Sequence, residues 1–248
     1  MKKFISLSLI LSLVFCFVGC SNNKSNNNND TNLNEQNENS NLNEQLQTNS
    51  TEELVAEGED FFFWGENEDG VYIDLFNPDY DEDGNVKKYT KIIVPETIDG
   101  KPVIAVGTKN FNSTVFASAP NVKEVVIPKT VKIIGKQAFY QAFELEKITG
   151  GEGIIEIHEM AFISCKKLKL PVFLSSAKIE YIGLNAFGAC ESFNGEIELP
   201  YAKKIESGAF GMCSGGITLI ASKGSAVEDY YNNNLGEFEE ANIDFELK

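Results

Sequence analysis

The chain predicts a mainly β repeat solenoid, in which short coils stack on one another. Three observations carry this. Phe139, Phe162, Phe187 and Phe210 recur at spacings of 23, 25 and 23 residues. Other residue types recur with them in the same register. The sequence on either side of the array has the composition of elements that would close its ends. A unit this short cannot bury its apolar face alone, so neighbouring coils must cover one another. The expected molecule is a right-handed stack of about five units of 23–25 residues. A β-hairpin would cap its N-terminal end, and a short helix with a strand its C-terminal end.

Within each unit the Phe sets the frame. Three residues after it stands a small residue, in turn Ala142, Cys165, Cys190 and Cys213. Five before it stands an isoleucine, Ile134, Ile157, Ile182 or Ile205, and eight before it Val131, Ile154, Ile179 or Ala202. An earlier copy is read at Ile104, Gly107 and Phe111, with about five extra residues before the array resumes at Val122. Burying a Phe is worth about 1.5–3 kcal/mol, so the Phe ladder is expected to be the spine of the fold. Cys165, Cys190 and Cys213 share one place in successive units, which reads as an inward ladder of small apolar groups with free thiols.

These words resemble the repeat of the BspA-like leucine-rich-repeat surface lipoproteins. Ile127-Pro128, Val131, Ile134-Gly135, Ala138-Phe139 and Leu145 carry the likeness, and Ile182-Gly183, Ala186-Phe187 and Cys190 repeat it. The likeness spans Ile92 to Ser222, while His158 and Glu206 stand where the family has Gly. Lys223-Gly224-Ser225-Ala226, followed by an aromatic helix, resembles the family's C-terminal closure. The resemblance implies a leucine-rich-repeat fold and attachment to host matrix proteins or to other cells.

Residues 1–19 read as a lipoprotein signal peptide: Met1-Lys2-Lys3, an apolar run from Phe4 to Val18, then Gly19-Cys20. The run is short for a membrane span. Phe17-Val18-Gly19-Cys20 resembles the lipobox of bacterial lipoproteins, which implies lipidation of Cys20 and membrane attachment through the lipid. An ordinary cleaved signal that leaves a free thiol is the other reading. Multiple acyl chains would hold stably, at about 0.8 kcal/mol per buried methylene. From Cys20, residues 20–53 are dominated by Asn, Gln, Ser and Glu and read as a disordered tether. Random-coil scaling gives it a reach of about 30 Å.

The N-terminal cap is expected over 54–91. Phe61-Phe62-Phe63-Trp64 and Val71 to Phe76 are strand-like, and Glu66 to Gly70 has turn chemistry. Asp79, Asp81 and Asp83, followed by Gly84, match the opening of an EF-hand calcium loop. The twelfth position, where a bidentate Glu should close the site, is Thr90, so an acidic hairpin turn is the competing reading. The array follows over 92–222 and the C-terminal cap over 223–248. Ser225 and Glu228 have capping-box spacing, and Ala241 to Leu247 alternates as a strand does, with Ile243, Phe245 and Leu247 on one face.

Composition narrows the function. The formal charge of −16 becomes −18 once Lys2 and Lys3 leave with the signal, and all 21 basic residues are Lys. Nucleic acid is an unsuitable partner, because counterion release needs clustered positive charge and bidentate phosphate recognition favours Arg. The single histidine, His158, lies inside a repeat at a Gly position and reads as a turn residue with unusual backbone. Neither an enzyme nor a cofactor is expected, since no nucleophile pairs with His158 by motif and no carboxylate pair stands out.

The expected function is protein binding or adhesion, with a host matrix or other surface protein as partner. The candidate contacts flank the strand after each Phe: Lys123, Glu124, Glu146, Lys147, Thr149, Lys169, Glu196, Glu198 and Thr218. A structural envelope role is the alternative, and a glycan-active enzyme the third.

Overall fold

The structure is a computed structural model that describes residues 54–248, apart from 111, 118, 120, 237 and 239–242. The expected signal peptide, Cys20, the tether and Phe111 lie outside the described residues.

The chain enters as a strand, β1 (Val55–Glu57), and then forms the expected antiparallel hairpin of β2 (Phe62–Glu66) and β3 (Val71–Phe76). The acidic loop follows, and β4 (Lys91–Ile93) returns beside β1 in parallel. A tight turn at Asp99-Gly100 joins β5 (Thr97–Ile98) to β6 (Lys101–Val106). From here each coil contributes a two-residue strand, and most coils a longer strand before it. These are β7 (Glu124–Ile127) with β8 (Ile133–Ile134), and β9 (Lys147–Gly150) with β10 (Glu156–Ile157). A helical turn, α1 (Phe173–Ser176), precedes β11 (Tyr181–Ile182). Then come β12 (Gly195–Glu198), β13 (Lys204–Ile205) and β14 (Ile217–Ala221). The helix α2 (Ala226–Asn233) and the strand β15 (Ile243–Leu247) close the chain.

The two-residue strands of the repeats stack with β6 and the N-terminal hairpin into one sheet, in the order β13-β11-β10-β8-β6-β3-β2 with β5 beside β6. The longer strands form two sheets, β1-β4-β7-β9 and β12-β14-β15. Between them the equivalent stretch around Lys169 is not a strand, although the Lys169 N–H still donates to the Glu146 carbonyl at 3.0 Å. All neighbours within the repeats are parallel, as successive turns of one coil must be.

Between the two layers of strands runs the Phe ladder. Ring centroids lie 4.7 Å apart for Phe139 and Phe162, 5.0 Å for Phe162 and Phe187, and 5.5 Å for Phe187 and Phe210. The rings are nearly parallel and wholly buried, and each such pair adds roughly 0.5–1.5 kcal/mol to the transfer of its area from water. Backbone bonds keep the pitch. The N–H of Phe139, Phe162 and Phe187 donates to the carbonyl of Ala161, Ala186 and Ala209 in the next coil, at 2.7–2.8 Å. The thiols of Cys165, Cys190 and Cys213 are free and buried, and each donates to the carbonyl of the previous Phe at 3.1–3.3 Å.

The first copy is arranged differently from the sequence reading. Phe116 stacks on Phe139 at 4.7 Å, and its N–H donates to the Ala138 carbonyl at 3.0 Å. Phe116 therefore holds the ladder position that the sequence reading gave to Phe111. Ala119 and Val122 then fall in frame behind it, and both are buried. The extra residues precede the Phe instead of following it. Val106 is registered with Ile134.

The glycine positions also have a different cause from the one expected. His158 does not adopt positive φ, so an unusual backbone is not what its position requires. A Cβ on Gly183 would lie 2.6 Å from the Glu159 backbone nitrogen, and one on Gly135 2.3 Å from that of Thr108. Close approach of the preceding coil is what favours Gly there. Positive φ falls instead at Gln137, Gln141, Met160, Ser164, Asn185, Ala189, Gly208 and Met212, two residues either side of each Phe.

Both ends are sealed by aromatic residues. Phe76 lies 6.2 Å from Phe116, and Phe61 and Tyr89 pack on Phe76. Trp64 is partly buried against the same core. At the other end the Phe210 N–H has no further coil to meet and donates to the Tyr230 hydroxyl at 3.1 Å. Ser225 caps α2 by accepting from the Glu228 N–H at 3.3 Å, and Glu228 reaches back to the Gly224 N–H. In β15, Ile243 is buried, Phe245 is stacked on Tyr231 at 4.0 Å, and Leu247 is exposed.

Candidate functional site

The outward side chains of the longer strands form two patches. In the first, register aligns Lys91, Glu124 and Lys147 across β4, β7 and β9, with Ile93, Val126 and Thr149 in the neighbouring row. Glu124 is the centre. Its carboxylate accepts from the Thr149 hydroxyl at 2.6 Å and pairs with Lys147 at 3.3 Å and Lys91 at 3.5 Å. The Thr149 hydrogen bond, with help from Lys147 and Lys91, holds the Glu124 carboxyl below its ordinary range against the opposing effect of burial. Its side chain is only 19% exposed, so it is less a free contact than the sequence reading took it to be. Lys123 and Glu146 pair at 3.8 Å beside it.

The second patch spans β12, β14 and β15. One row aligns Glu196, Thr218 and Asp244, and the next Glu198, Ile220 and Glu246. Lys248 pairs with Glu198 at 3.6 Å. This patch is acidic, whereas the first alternates in sign. Lys169 is exposed in the strand-free coil between them.

The structure therefore divides the nine sequence-derived candidates. Lys123, Glu124, Glu146, Lys147 and Thr149 fall in the first patch, Glu196, Glu198 and Thr218 in the second, and Lys169 in neither. Lys91, Asp244 and Glu246 belong with them and were missed. Asp244 and Glu246 are the polar members of an alternating strand, but neither β4 nor β15 directly follows a ladder Phe, where the sequence-derived candidates lie.

The remaining candidates take up structural contacts. In the acidic loop, Asp81 accepts from the N–H groups of Asn85 and Asp83 at 2.8 and 3.0 Å, and the Asn85 bond holds its carboxyl below the usual range. Asp79 accepts from the Tyr89 hydroxyl at 3.1 Å and lies 3.5 Å from Lys87. Asp83 is exposed. Thr90 belongs to the stack, its N–H donating to the Leu54 carbonyl. Among the described residues no three His, Cys, Asp or Glu side chains converge as metal ligands would. His158 pairs with Glu156 at 2.8 Å, and Glu156 with Lys109 at 2.6 Å. Burial lowers the His158 pKa despite the carboxylate beside it. Burial also pushes the Cys165 thiol up to about 12 and that of Cys190 well above its ordinary value, so neither supplies a thiolate at neutral pH.

With this geometry in view, the comparisons with known proteins are direct. The model of the BspA type leucine rich repeat region matches residues 109–236 in 6 copies. The chain belongs to this family. Among solved structures, a leucine-rich repeat protein of T. pallidum is 28% identical, with a TM-score of 0.57 over 67% of this chain and 71% of that one. A leucine-rich cell surface protein of Faecalibacterium prausnitzii is 19% identical, with a TM-score of 0.51 over 69% of this chain and 46% of that one. One from Bacteroides ovatus is 20% identical, with a TM-score of 0.50, over 66% and 46%. At those identities the last two bear on the fold alone. No curated protein sequence matches the chain. Among the described residues, no helix of this BspA-type protein is long and apolar enough to cross a membrane.

Proposed function

We propose that this BspA-type protein is a non-catalytic, lipid-anchored surface module that binds a protein partner through the outward face of its longer strands. The Glu124 network carries the reading. Four side chains on three strands are held in one arrangement by 2.6–3.5 Å contacts, so little rotamer freedom remains to be lost when a partner docks. The acidic patch beside it adds a field that steers a basic partner and weakens with salt.

Surface location rests on the Phe17-Val18-Gly19-Cys20 sequence and on the description of the F. prausnitzii relative as a cell surface protein. Attachment through a lipid on Cys20 and adhesion to host matrix are extensions of the family resemblance. The reading as non-catalytic rests on a histidine engaged by Glu156 and on the Cys165 and Cys190 thiols raised out of reach of ionisation.

The test is binding of the full chain to immobilised fibronectin and fibrinogen across a range of salt. Saturable binding to one of them, weakened by changing Glu146, Lys147, Glu196 and Glu198 to Ala, is the expected result. Folded protein that binds neither would end the adhesion reading and leave the envelope-scaffold alternative in its place.

A further inference from the structure

Each internal coil uses two carbonyls of its short strand to hold the coil that follows. Lys132 O accepts from the N–H groups of Ile155 and Glu156, and Ile134 O from that of His158. Ile155 and Ile157 repeat this toward Glu180, Tyr181 and Gly183, and Glu180 and Ile182 toward Lys203, Lys204 and Glu206. The equivalent carbonyls at β13 are those of Lys203, just before it, and Ile205 at its end, and β13 is the last strand of its sheet. Among the described residues neither carbonyl accepts an N–H. The helix α2 faces them instead, across a cleft of 280 Å³.

The helix side of the cleft is polar and largely fixed. The Asn233 amide donates to the Asp229 carbonyl at 2.7 Å. The Asn234 amide donates to the Tyr230 carbonyl at 2.7 Å, and its oxygen accepts from the Ser207 hydroxyl at 2.8 Å. This leaves the Asn233 side-chain oxygen as an acceptor, and the Asp229 carboxylate lines the same cleft as the two strand carbonyls. Lys203 and Lys204 supply donors at the rim, each engaged by a carboxylate, Glu180 at 2.7 Å and Glu206 respectively.

We infer that this cleft binds a single neutral pyranose ring, such as the terminal residue of a glycan. Two strand carbonyls, an amide oxygen and a carboxylate, with ammonium donors at the rim, suit a ligand that carries several hydroxyls, each able both to donate and to accept. A cation would meet Lys203 and Lys204, and an anion would meet Asp229. A peptide strand would find an edge only two residues long. The volume lies just under the range of about 300–1,000 Å³ typical of small-molecule sites, which suits one ring and not an oligosaccharide. This site is separate from the strand face, and its ligand does not depend on that reading.

The test is titration of the full chain with glucose, galactose, mannose, rhamnose, N-acetylglucosamine and N-acetylgalactosamine, followed by ligand-observed NMR. At least one sugar shows saturable binding. Asp229→Ala weakens it roughly tenfold or more, the loss expected for a hydrogen bond to a charged group. Asn233→Ala also weakens it, and Lys147→Ala on the strand face leaves it unchanged. Thermal melts establish that the variants are folded, and having two on the helix keeps one usable. Absence of saturable binding by all six sugars overturns the proposal. So does binding that survives both helix variants, or competition by a short extended peptide in place of sugar.

Discussion

Removing the Tyr230 hydroxyl tests how the array is terminated. Every internal Phe amide meets a carbonyl of the next coil, and the last, on Phe210, meets Tyr230 at 3.1 Å. Both residues are buried, with Phe210 fully and Tyr230 to within 2%, so water cannot replace the lost partner. Tyr230→Phe keeps the ring that packs on Phe210 and Phe238 at 6.1 and 5.3 Å and strands one amide. An orphaned buried donor costs about 1–3 kcal/mol. For a domain of 150–250 residues each kcal/mol moves the melting temperature by about 2–4 °C, so a cost near the middle of that range gives a fall of about 4–8 °C. Because solenoids can open from an end, hydrogen exchange should show the loss concentrated at Phe210 and its neighbours. Tyr201→Phe, at a site 52% exposed, is the control and should melt like the wild type. Equal melting of the two variants, with no local change in exchange, would refute the claim that Tyr230 stands in for a missing coil.

Three further outcomes are expected. Phe162→Ala, which removes a ring stacked on both sides at 4.7 and 5.0 Å, should cost about 3–5 kcal/mol in urea unfolding. Thiol reagents should leave Cys165, Cys190 and Cys213 unmodified in the native protein at pH 8 and react with all three in urea, since the thiols are buried and Cys165 ionises only near 12. Stability should fall on acidification in two stages. The depressed pKa of His158 makes its contribution complete above 6.5 and lost as pH drops below that value, and the depressed pKa of Glu124 does the same below 4.5. Melting curves of His158→Gln should lack the upper stage, and those of Glu124→Gln should show a smaller lower stage, because Asp81 and Glu156 are also held below their ordinary range.

Much of the fold was legible because the same side chain does the same work in every coil. Phe139, Phe162, Phe187 and Phe210 are interchangeable in chemistry and role, so their spacing alone located the spine. The capping box at Ser225 and the hairpin at Glu66 to Gly70 were readable for a local reason, since each is specified by a few contiguous residues. Phe116 was not found because the frame set the Phe four residues after Gly107, as Phe139 follows Gly135, and the extra residues fall within that interval. Counting 23 residues back from Phe139 would have reached it, with Ala119 and Val122 following in register.

The backbone turns were illegible for another reason. Gln141, Met160 and Ala189 adopt positive φ, a conformation their side chains disfavour, and the stack imposes it from outside the segment. The candidate face was legible as a set of outward polar positions, but not as a network. That Glu124 gathers Lys91, Lys147 and Thr149 depends on which coils lie side by side, a property of the winding that no single repeat encodes.

The cap on Phe210 has a consequence for ancestry. Because the Tyr230 hydroxyl offers the same acceptor that a carbonyl offers elsewhere, the terminal piece is indifferent to how many turns precede it. A gene that gains or loses one in-frame segment of about 23 codons would still encode a sealed product. The number of coils can therefore change by whole units while both ends stay as they are.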